Sequence, residues 1–259
     1  MIKMKTMKST IKILKIGGSI ITDKNRSALA RPDEITRVAN EVASSPEDLV
    51  LVHGAGSFGH IPAQRYGLPH KFNPTGLQRT HSCVARLNQM MVDALDKEGA
   101  NPMPVHPLSC VVLKGGRIER FCIEPILEMI RQSLLPVLHG DVAMDMIDGA
   151  SIVSGDQLVS HLARALKAQV VAVGTNVDGV IFQGEPLFEL AREDLMQISE
   201  SLKGSSGVDV TGGMRGKLLE LLDLADSGID SIIFNAGKKG QINKALRGEP
   251  IGTTVRRSR

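Results

Sequence analysis

Two glycine-rich junctions, Lys15-Ile-Gly-Gly-Ser19 and His53-Gly-Ala-Gly-Ser-Phe-Gly-His60, each follow a short apolar run in this chain of 259 residues. Glycines placed where a strand gives way to a helix let main-chain N–H groups converge on phosphate oxygens, and the helix N-terminus adds partial positive charge. With Lys15, Lys24 and His60 nearby, two such cradles suit a site that holds two phosphorylated groups face to face. A lysine at the end of a buried strand is costly unless it meets an anion, which favours a phosphate at Lys15. The Lys15 junction has neither the GxxxxGK[ST] spacing of a Walker loop nor the GxGxxG of a dinucleotide fold.

Three further motifs carry polar groups suited to the same chemistry. Ser154-Gly155-Asp156 opens a helix, where capping by Ser154 or Asp156 is a sufficient explanation; a carboxylate placed between two lysines would also fix their ammonium groups. Thr175-Asn-Val-Asp-Gly-Val180 follows an apolar run, and its Asp178-Gly179 alone is an ordinary turn. Thr211-Gly-Gly-Met-Arg-Gly-Lys217 begins a helix with glycines and has a lysine one turn in, an arrangement that holds a nucleotide phosphate. A lone histidine is more often structural than catalytic, but His60 ends a glycine turn, where it can donate to an anion beside main-chain amides. Each motif is weak alone, and their order along the chain is the specific signal.

The elements that must position these groups follow from periodicity. Residues 11–16 read as a strand, 33–43 as an amphipathic helix with Ile35, Val38, Ala39 and Val42 on one side, and 49–52 as a buried strand. Thr80 is expected to cap a long helix carrying Val84, Leu87, Met91 and Leu95 and stopped at Gly99. Residues 136–139 read as a short strand. Asp148-Gly149, between 142–147 and 151–153, is a hairpin signal, followed by a helix from about Gly155 with Leu158, Leu162 and Leu166. An apolar strand at 170–173, a leucine-rich helix from about Met214 to Ser227 and a strand at 229–234 come next. Uninterrupted apolar strands are usually covered by helices on both faces. The expected fold is therefore a mainly parallel α/β sheet with ligands at the strands' carboxyl ends. With no repeat or low-complexity linker, one domain over 1–259 is expected, with lobes of about 1–167 and 168–259 meeting at the hairpin and helix near 155–167.

Composition narrows the function classes. The net charge of +3 is modest, and Lys3, Lys5, Lys8, Arg256, Arg257 and Arg259 bunch near the ends as solvated tails. One Tyr, six Phe and no Trp leave few rings for base stacking, so nucleic acid is not an expected partner. Cys83, Cys110 and Cys122 have neither CxxC spacing nor an even count, so no disulfide framework or zinc site is expected; buried, reduced thiols in a cytoplasmic protein are. Lys12 and Lys15 interrupt the N-terminal apolar stretch before it reaches signal-peptide length, and no segment approaches the roughly 20 apolar residues that span a bilayer.

In their joint order the five motifs resemble the amino acid kinase superfamily across nearly the whole chain. Within it, His-Gly-x-Gly-x-Phe-Gly-His is similar to the archaeal type of isopentenyl phosphate kinase; the closing histidine separates that branch from acetylglutamate, aspartate and uridylate kinases. The resemblance implies an open αβα sandwich, a homodimer, ATP with Mg2+, and transfer of the γ-phosphate to isopentenyl phosphate in isoprenoid biosynthesis by the alternate mevalonate pathway. It assigns no metal ligand and divides the lobes into an acceptor-binding half and a nucleotide-binding half. Lys15 and Lys24 match lysines on the transferring phosphoryl group, and Lys24 takes the part of transition-state stabiliser. Gly17, Gly18 and Ser19 match the loop under the ATP phosphates. Ala55, Gly56, Gly59 and His60 match the acceptor-phosphate turn, with Gly56 also counted on the nucleotide side and Gly155 as a donor opposite. Asp156 matches the carboxylate that orders the lysines, and Thr175, Asp178, Gly213 and Lys217 match the nucleotide lobe. Ala55 stands where glycine is frequent, which matters little if its φ is negative and its amide is the contact. Asn176 replaces a usual aspartate, leaving that position only hydrogen bonding or turn formation.

Phosphoryl transfer asks mainly for alignment and for positive charge around the equatorial oxygens. A phosphomonoester has a second pKa of about 6 and needs no strong base, so His60 reads as a donor that positions the acceptor. Two alternatives share part of this evidence: a fosfomycin kinase-like enzyme acting on phosphonates, and a sensor that binds nucleotide or metabolite without catalysis. Val84, Leu87 and Met91 lie at helical spacing after His60, where they line an aliphatic tail or, more simply, form core.

Overall fold

Apolar runs of five residues without polar interruption make strands that are buried on both faces. In the computed structural model, which describes residues 10–45, 48–68, 72–182, 184–195 and 212–258, such runs form the centre of an eight-stranded sheet. Its strands are β1 (Lys12–Ile16), β2 (Leu49–His53), β3 (Pro102–Val105), β6 (Leu135–His139), β9 (Val170–Thr175), β12 (Glu189–Leu190), β13 (Ser231–Asn235) and β14 (Thr253–Val255). Their order is β12-β14-β13-β9-β1-β2-β6-β3, parallel throughout except for the β13–β14 pair. A second, four-stranded sheet joins two hairpins in the order β5-β4-β7-β8: β4 (Val111–Lys114), β5 (Arg117–Phe121), β7 (Asp141–Asp145) and β8 (Gly149–Val153). A short pair, β10 (Ile181–Phe182) and β11 (Glu185–Pro186), lies apart from both.

Side-chain alternation divides the core into two layers. Ile13, Val50, Val52, Val171 and Val173 face one way, against α7 (Gly155–Leu166) and α8 (Gly212–Asp226). Leu14, Ile16, Leu49, Leu51 and Ala172 face the other, against α2 (Pro32–Ala43) and α4 (Pro74–Lys97). This is the αβα sandwich expected from the sequence. The helix α2 has Pro32 at its first turn with Asp33 and Glu34, which suits the positive end of the helix dipole.

Several details depart from the sequence reading. Helix α4 begins six residues before Thr80, because Asn73 caps it by accepting from Gly76 N at 2.9 Å and Pro74 supplies a preset φ. Leu87 and Met91 are fully buried core, so neither lines a cavity; Val84 does both. A helix α3 (Gly56–Arg65) starts inside the second glycine junction itself. The β4–β5 hairpin turns at Gly115 and Gly116, both at positive φ, a Gly-Gly signal that the sequence reading passed over. The thiols are free, but Cys122 is exposed, and Cys83 and Cys110 are only partly covered, packing at the margins of the two core layers.

Asp145 staples the two hairpins. Its carboxylate accepts from Gly115 N (3.0 Å), Gly116 N (2.7 Å), Ile147 N (2.8 Å) and Asp148 N (3.1 Å). Desolvation would raise its pKa, but the four main-chain donors outweigh that and hold it at about 2. Its contribution to stability is thus present above the ordinary carboxylate range and is lost as the pH falls toward about 2. Asp145→Ala is expected to lower stability by about 2 kcal/mol or more, since four donors lose a charged acceptor; the midpoint of urea unfolding at neutral pH measures it.

Candidate active site

The register brings the two glycine junctions together. Ile16 at the end of β1 lies level with His53 of β2 on one side and Gly174 of β9 on the other. The loops that leave these three parallel strands therefore meet at one edge of the sheet, where α/β proteins place ligands. Gly18 and Gly56 touch main chain to main chain: a Cβ on Gly18 would lie 2.6 Å from the Gly56 Cα. Gly56 also has φ +51°, so a side chain there would be strained as well as obstructed. The Thr22 hydroxyl locks the pair by donating to Gly18 O (2.7 Å) and accepting from Ser57 N (3.2 Å).

Beneath the junctions, Asp156 in the first turn of α7 holds two ammonium groups. Lys15 Nζ donates to its Oδ1 at 2.6 Å, and Lys217 Nζ of α8 approaches Oδ1 at 3.0 Å and Oδ2 at 3.3 Å. Lys15 is 5% exposed and Lys217 9%. Burial lowers the Lys15 pKa to about 7; Asp156 pulls it up, and the neighbouring Lys217 charge pushes it further down. Burial alone would raise the Asp156 carboxyl, but the two lysines more than offset it and hold it at about 2. Below about pH 7, where Lys15 carries its proton, two cations share one anion beside a cavity of about 1020 Å³.

That cavity is bounded by most of the residues singled out from the sequence: Lys15, Gly17, Gly18, Ser19, Lys24, Ala55, Gly56, Gly59, His60, Gly155, Asp156, Thr175 and Lys217. Lys24 and His60 are exposed on its rim. Ala55 has φ −67° and ψ −25°, so the methyl group costs nothing at that position. A methyl group built on Gly140 would lie 3.3 Å from Gly155 N and 3.5 Å from Ala55 N, so these two amides border the same space. Beyond His60 the wall becomes apolar, with Ala63, Val84, Val142 and Ile152.

Asp178 is not brought to this cavity. It pairs with Lys238 at 2.7 Å, accepts from Asn235 Nδ2 at 3.0 Å, and borders a separate cavity of about 270 Å³ with Phe188 and Ile251. Between the two lies a polar cavity of about 490 Å³ that shares Ser19, Lys24 and Asn176 with the main one. The Thr175 hydroxyl is turned inward, within donating reach of Val177 O (3.0 Å) or Phe234 O (3.2 Å) and accepting from Val177 N, and so shapes the turn. Gly213 lies in the first turn of α8, whose Met214, Gly216 and Lys217 line the main cavity, while Thr211 is outside the described residues.

Sequence reasoning missed Thr22, Ser57, Arg117, Gly140, Asp141 and Gln157. Gly140 follows the end of β6 as Gly54 follows β2, so the same strand-to-glycine signal would have found it. Ser57 sits inside a junction already recognised. Arg117 carries no local signal; it reaches the cavity because β5 brings it against Glu220 of α8, where its guanidinium donates to the carboxylate.

A three-layer fold whose parallel strands end in apposed glycine loops over paired buried lysines is that of the amino acid kinase family, and the chain belongs to it: the family profile matches residues 10–235. Several of its relatives at 30% identity or more are isopentenyl phosphate kinases. An isopentenyl phosphate kinase of Methanothermobacter thermautotrophicus is 38% identical, over 94% of this chain and 98% of its own length. That of Methanocaldococcus jannaschii is 34% identical, over 94% and 97%. A solved structure of an isopentenyl phosphate kinase superposes with a TM-score of 0.82 at 33% identity, covering 95% of this chain and 99% of that one.

The low pKa of Lys15 makes a sign prediction. A polyanion beside it favours its charged form, so a triphosphate nucleotide binding above pH 7 should take up protons, and binding near pH 5.5 should not. Calorimetric titration of ATP in buffers of different ionisation enthalpy reads the uptake directly; proton release at pH 8 would contradict the assignment.

Proposed function

We propose that the protein transfers the γ-phosphate of ATP to isopentenyl phosphate, giving isopentenyl diphosphate and ADP. The observation that carries this reading is one cavity with three properties: surplus buried positive charge at Lys15 and Lys217, converging amides at Ala55 and Gly155, and an apolar end at Ala63, Val84, Val142 and Ile152. The last favours a short branched hydrocarbon over a small polar phosphonate, because burying apolar surface stabilises the complex by about 25 cal/mol per Å².

In this reading the nucleotide phosphates lie over Gly17, Gly18 and Ser19 and against Lys217, with Thr175, Asp178 and Gly213 on the nucleotide side. The acceptor phosphate lies on the Ala55, Gly56 and Gly155 amides, with Gly59 giving room and His60 donating from the rim. An acceptor oxygen attacks the γ-phosphorus while the bond to the β–γ bridging oxygen breaks, and the electron pair leaves with ADP. An acceptor dianion carries no proton to remove, so His60 need not act as a base. Lys24 and Lys15 offset the charge that spreads over the three equatorial oxygens. Asp156 holds the lysine pair in place by accepting from both and takes no part in bond making.

Magnesium belongs to this proposal as the partner of the triphosphate, supplying further positive charge between the anions. Among the described residues no group of three or more acidic, histidine or cysteine side chains is disposed to hold a metal, and Asp156 is engaged by two lysines, so the ion would ride mainly on phosphate oxygens. A homodimer, a cytoplasmic setting, and acceptor and nucleotide lobes dividing near residue 167 complete the proposal. None of the described helices is long and apolar enough to cross a membrane.

Coupled measurement of ADP release tests the reaction: isopentenyl phosphate should stimulate release in the presence of Mg-ATP, and no acceptor-dependent ADP would overturn the reading. Lys24→Ala is expected to lower kcat by about 10²–10³-fold with thermal stability unchanged, as loss of a donor to developing charge does elsewhere. His60→Ala should raise the acceptor KM about tenfold or more while leaving the ATP KM near its original value; unchanged acceptor kinetics would remove His60 from the site.

A further inference from the structure

Behind the acceptor side of the cavity lie four histidines that the phosphoryl transfer above does not use. His53 ends β2, His139 ends β6, His81 lies on α4 and His106 precedes the short helix α5 (Pro107–Cys110). The His139 ring lies 5.2 to 6.4 Å from each of the other three, centroid to centroid, and His81 lies 5.5 Å from His106. His81 Nδ1 donates to Asp141 at 2.9 Å, and that pair needs no further explanation. His53 and His139 are different, because both are fully buried.

These two residues are partners in the β2–β6 register and carry the same arrangement. Each is followed by a glycine, and each has Nδ1 facing the carbonyl of that glycine, at 3.1 Å for His53 and Gly54 and 3.2 Å for His139 and Gly140. A carbonyl can only accept, so Nδ1 carries the proton in both. The other ring nitrogens agree. His139 Nε2 lies 2.9 Å from His106 Nδ1 and accepts from it. His53 Nε2 lies 3.0 Å from the Asn88 side-chain oxygen, while the Asn88 amide nitrogen is buried without an acceptor. A half-turn of that amide gives its nitrogen to Nε2, the donor that a ring protonated at Nδ1 requires. Burial pushes the pKa of both imidazoles down, which keeps them neutral with a single ring proton.

The consequence follows from peptide geometry. The Gly54 carbonyl and the Ala55 N–H belong to one planar trans peptide and point in opposite directions. Whatever holds the carbonyl therefore aims the N–H. No main-chain acceptor among the described residues takes the Ala55 N–H, and Ala55 borders the cavity beside Gly155. Gly140 N donates to His53 O at 2.9 Å, which fixes the strand end from the other side. Without the imidazole, the flexible Gly54 peptide can turn over and present an oxygen to the anion.

We propose that His53 is a positioning residue for the acceptor-phosphate cradle: its Nδ1–H holds the Gly54 carbonyl out of the anion site and thereby fixes the Ala55 N–H into it. The inference rests on the reading of this cavity as the site of an acceptor phosphate. His53 itself touches no substrate.

A donor series tests it. Asparagine carries an N–H close to the place of Nδ1, glutamine carries one near Nε2, and leucine carries none. The KM for isopentenyl phosphate should stay within about threefold of wild type in His53→Asn, and rise about tenfold or more in His53→Gln and His53→Leu, as expected for losing one hydrogen bond to a charged group. The ATP KM should move less than about twofold in all three. Equal impairment of Asn and Gln variants, parallel rises in both KM values, or an unchanged acceptor KM in His53→Gln would each overturn the proposal. If leucine at this position prevents folding, the Asn and Gln pair decides alone. Wild-type turnover of isopentenyl phosphate tests the earlier reading separately. Should another phosphomonoester prove to be the acceptor, the same order of affinities is expected for inorganic phosphate measured by calorimetry.

Discussion

Two ammonium groups from opposite ends of the chain share one partly buried carboxylate, and most of the architecture serves to make that tolerable. A lysine as covered as Lys15 loses hydration that a single ion pair only partly replaces. Asp156 compensates for one positive charge, and burial with the Lys217 charge lowers the Lys15 pKa to about 7, so a second charge is held there only weakly until an anion joins it. The site is thus incomplete without an anion. That local imbalance is a ground-state cost which bound phosphate removes, and it places positive charge before the reaction calls for it.

The main chain does as much as the lysines. Parallel pairing sets the ends of β1, β2 and β9 level, so three loops open toward one point. Close approach of Gly18 to Gly56 then joins two loops into a single floor, with Thr22 bonded to both. Side chains larger than hydrogen at either glycine would separate the loops and lengthen the distance between the two phosphates. Since transfer depends on near-contact of the reacting atoms, this spacing is a kinetic requirement as much as a packing one.

The sheet, its parallel order and the helices α2, α7 and α8 were legible because each rests on a local pattern: uninterrupted apolar strands, a 3.6-residue stripe, a cap or a closing glycine. The convergence of Lys15 and His60 was legible for another reason, since both belong to strand-to-helix junctions of the parallel sheet, which open on one edge; Lys24 lies in the turn after the first junction and Asp156 follows β8 of the second sheet, so their places came from the resemblance. What stayed hidden depends on tertiary register. Arg117 reaches the cavity only because β4 runs beside β7 in the second sheet, and no nearby residue reveals that pairing. The early start of α4 was missed although Asn73-Pro74 announces it, because attention to the apolar stripe favoured Thr80. Leu87 and Met91 turned out to be core for the ordinary reason that a helix covering a sheet directs most of its apolar side chains inward.

The link from Arg117 to Glu220 joins the second sheet directly to α8, beside the Gln157 side chain of α7, which donates to Gly116 O of the same hairpin. Glu220 lies one turn after Lys217 on α8, so the helix is gripped by Asp156 at one turn and by the second sheet at the next. Movement of the hairpins against α8 must therefore break or carry the Arg117–Glu220 contact, one turn from the lysine that Asp156 holds; any coupling such a tie conveys between two ligands acts equally in both directions.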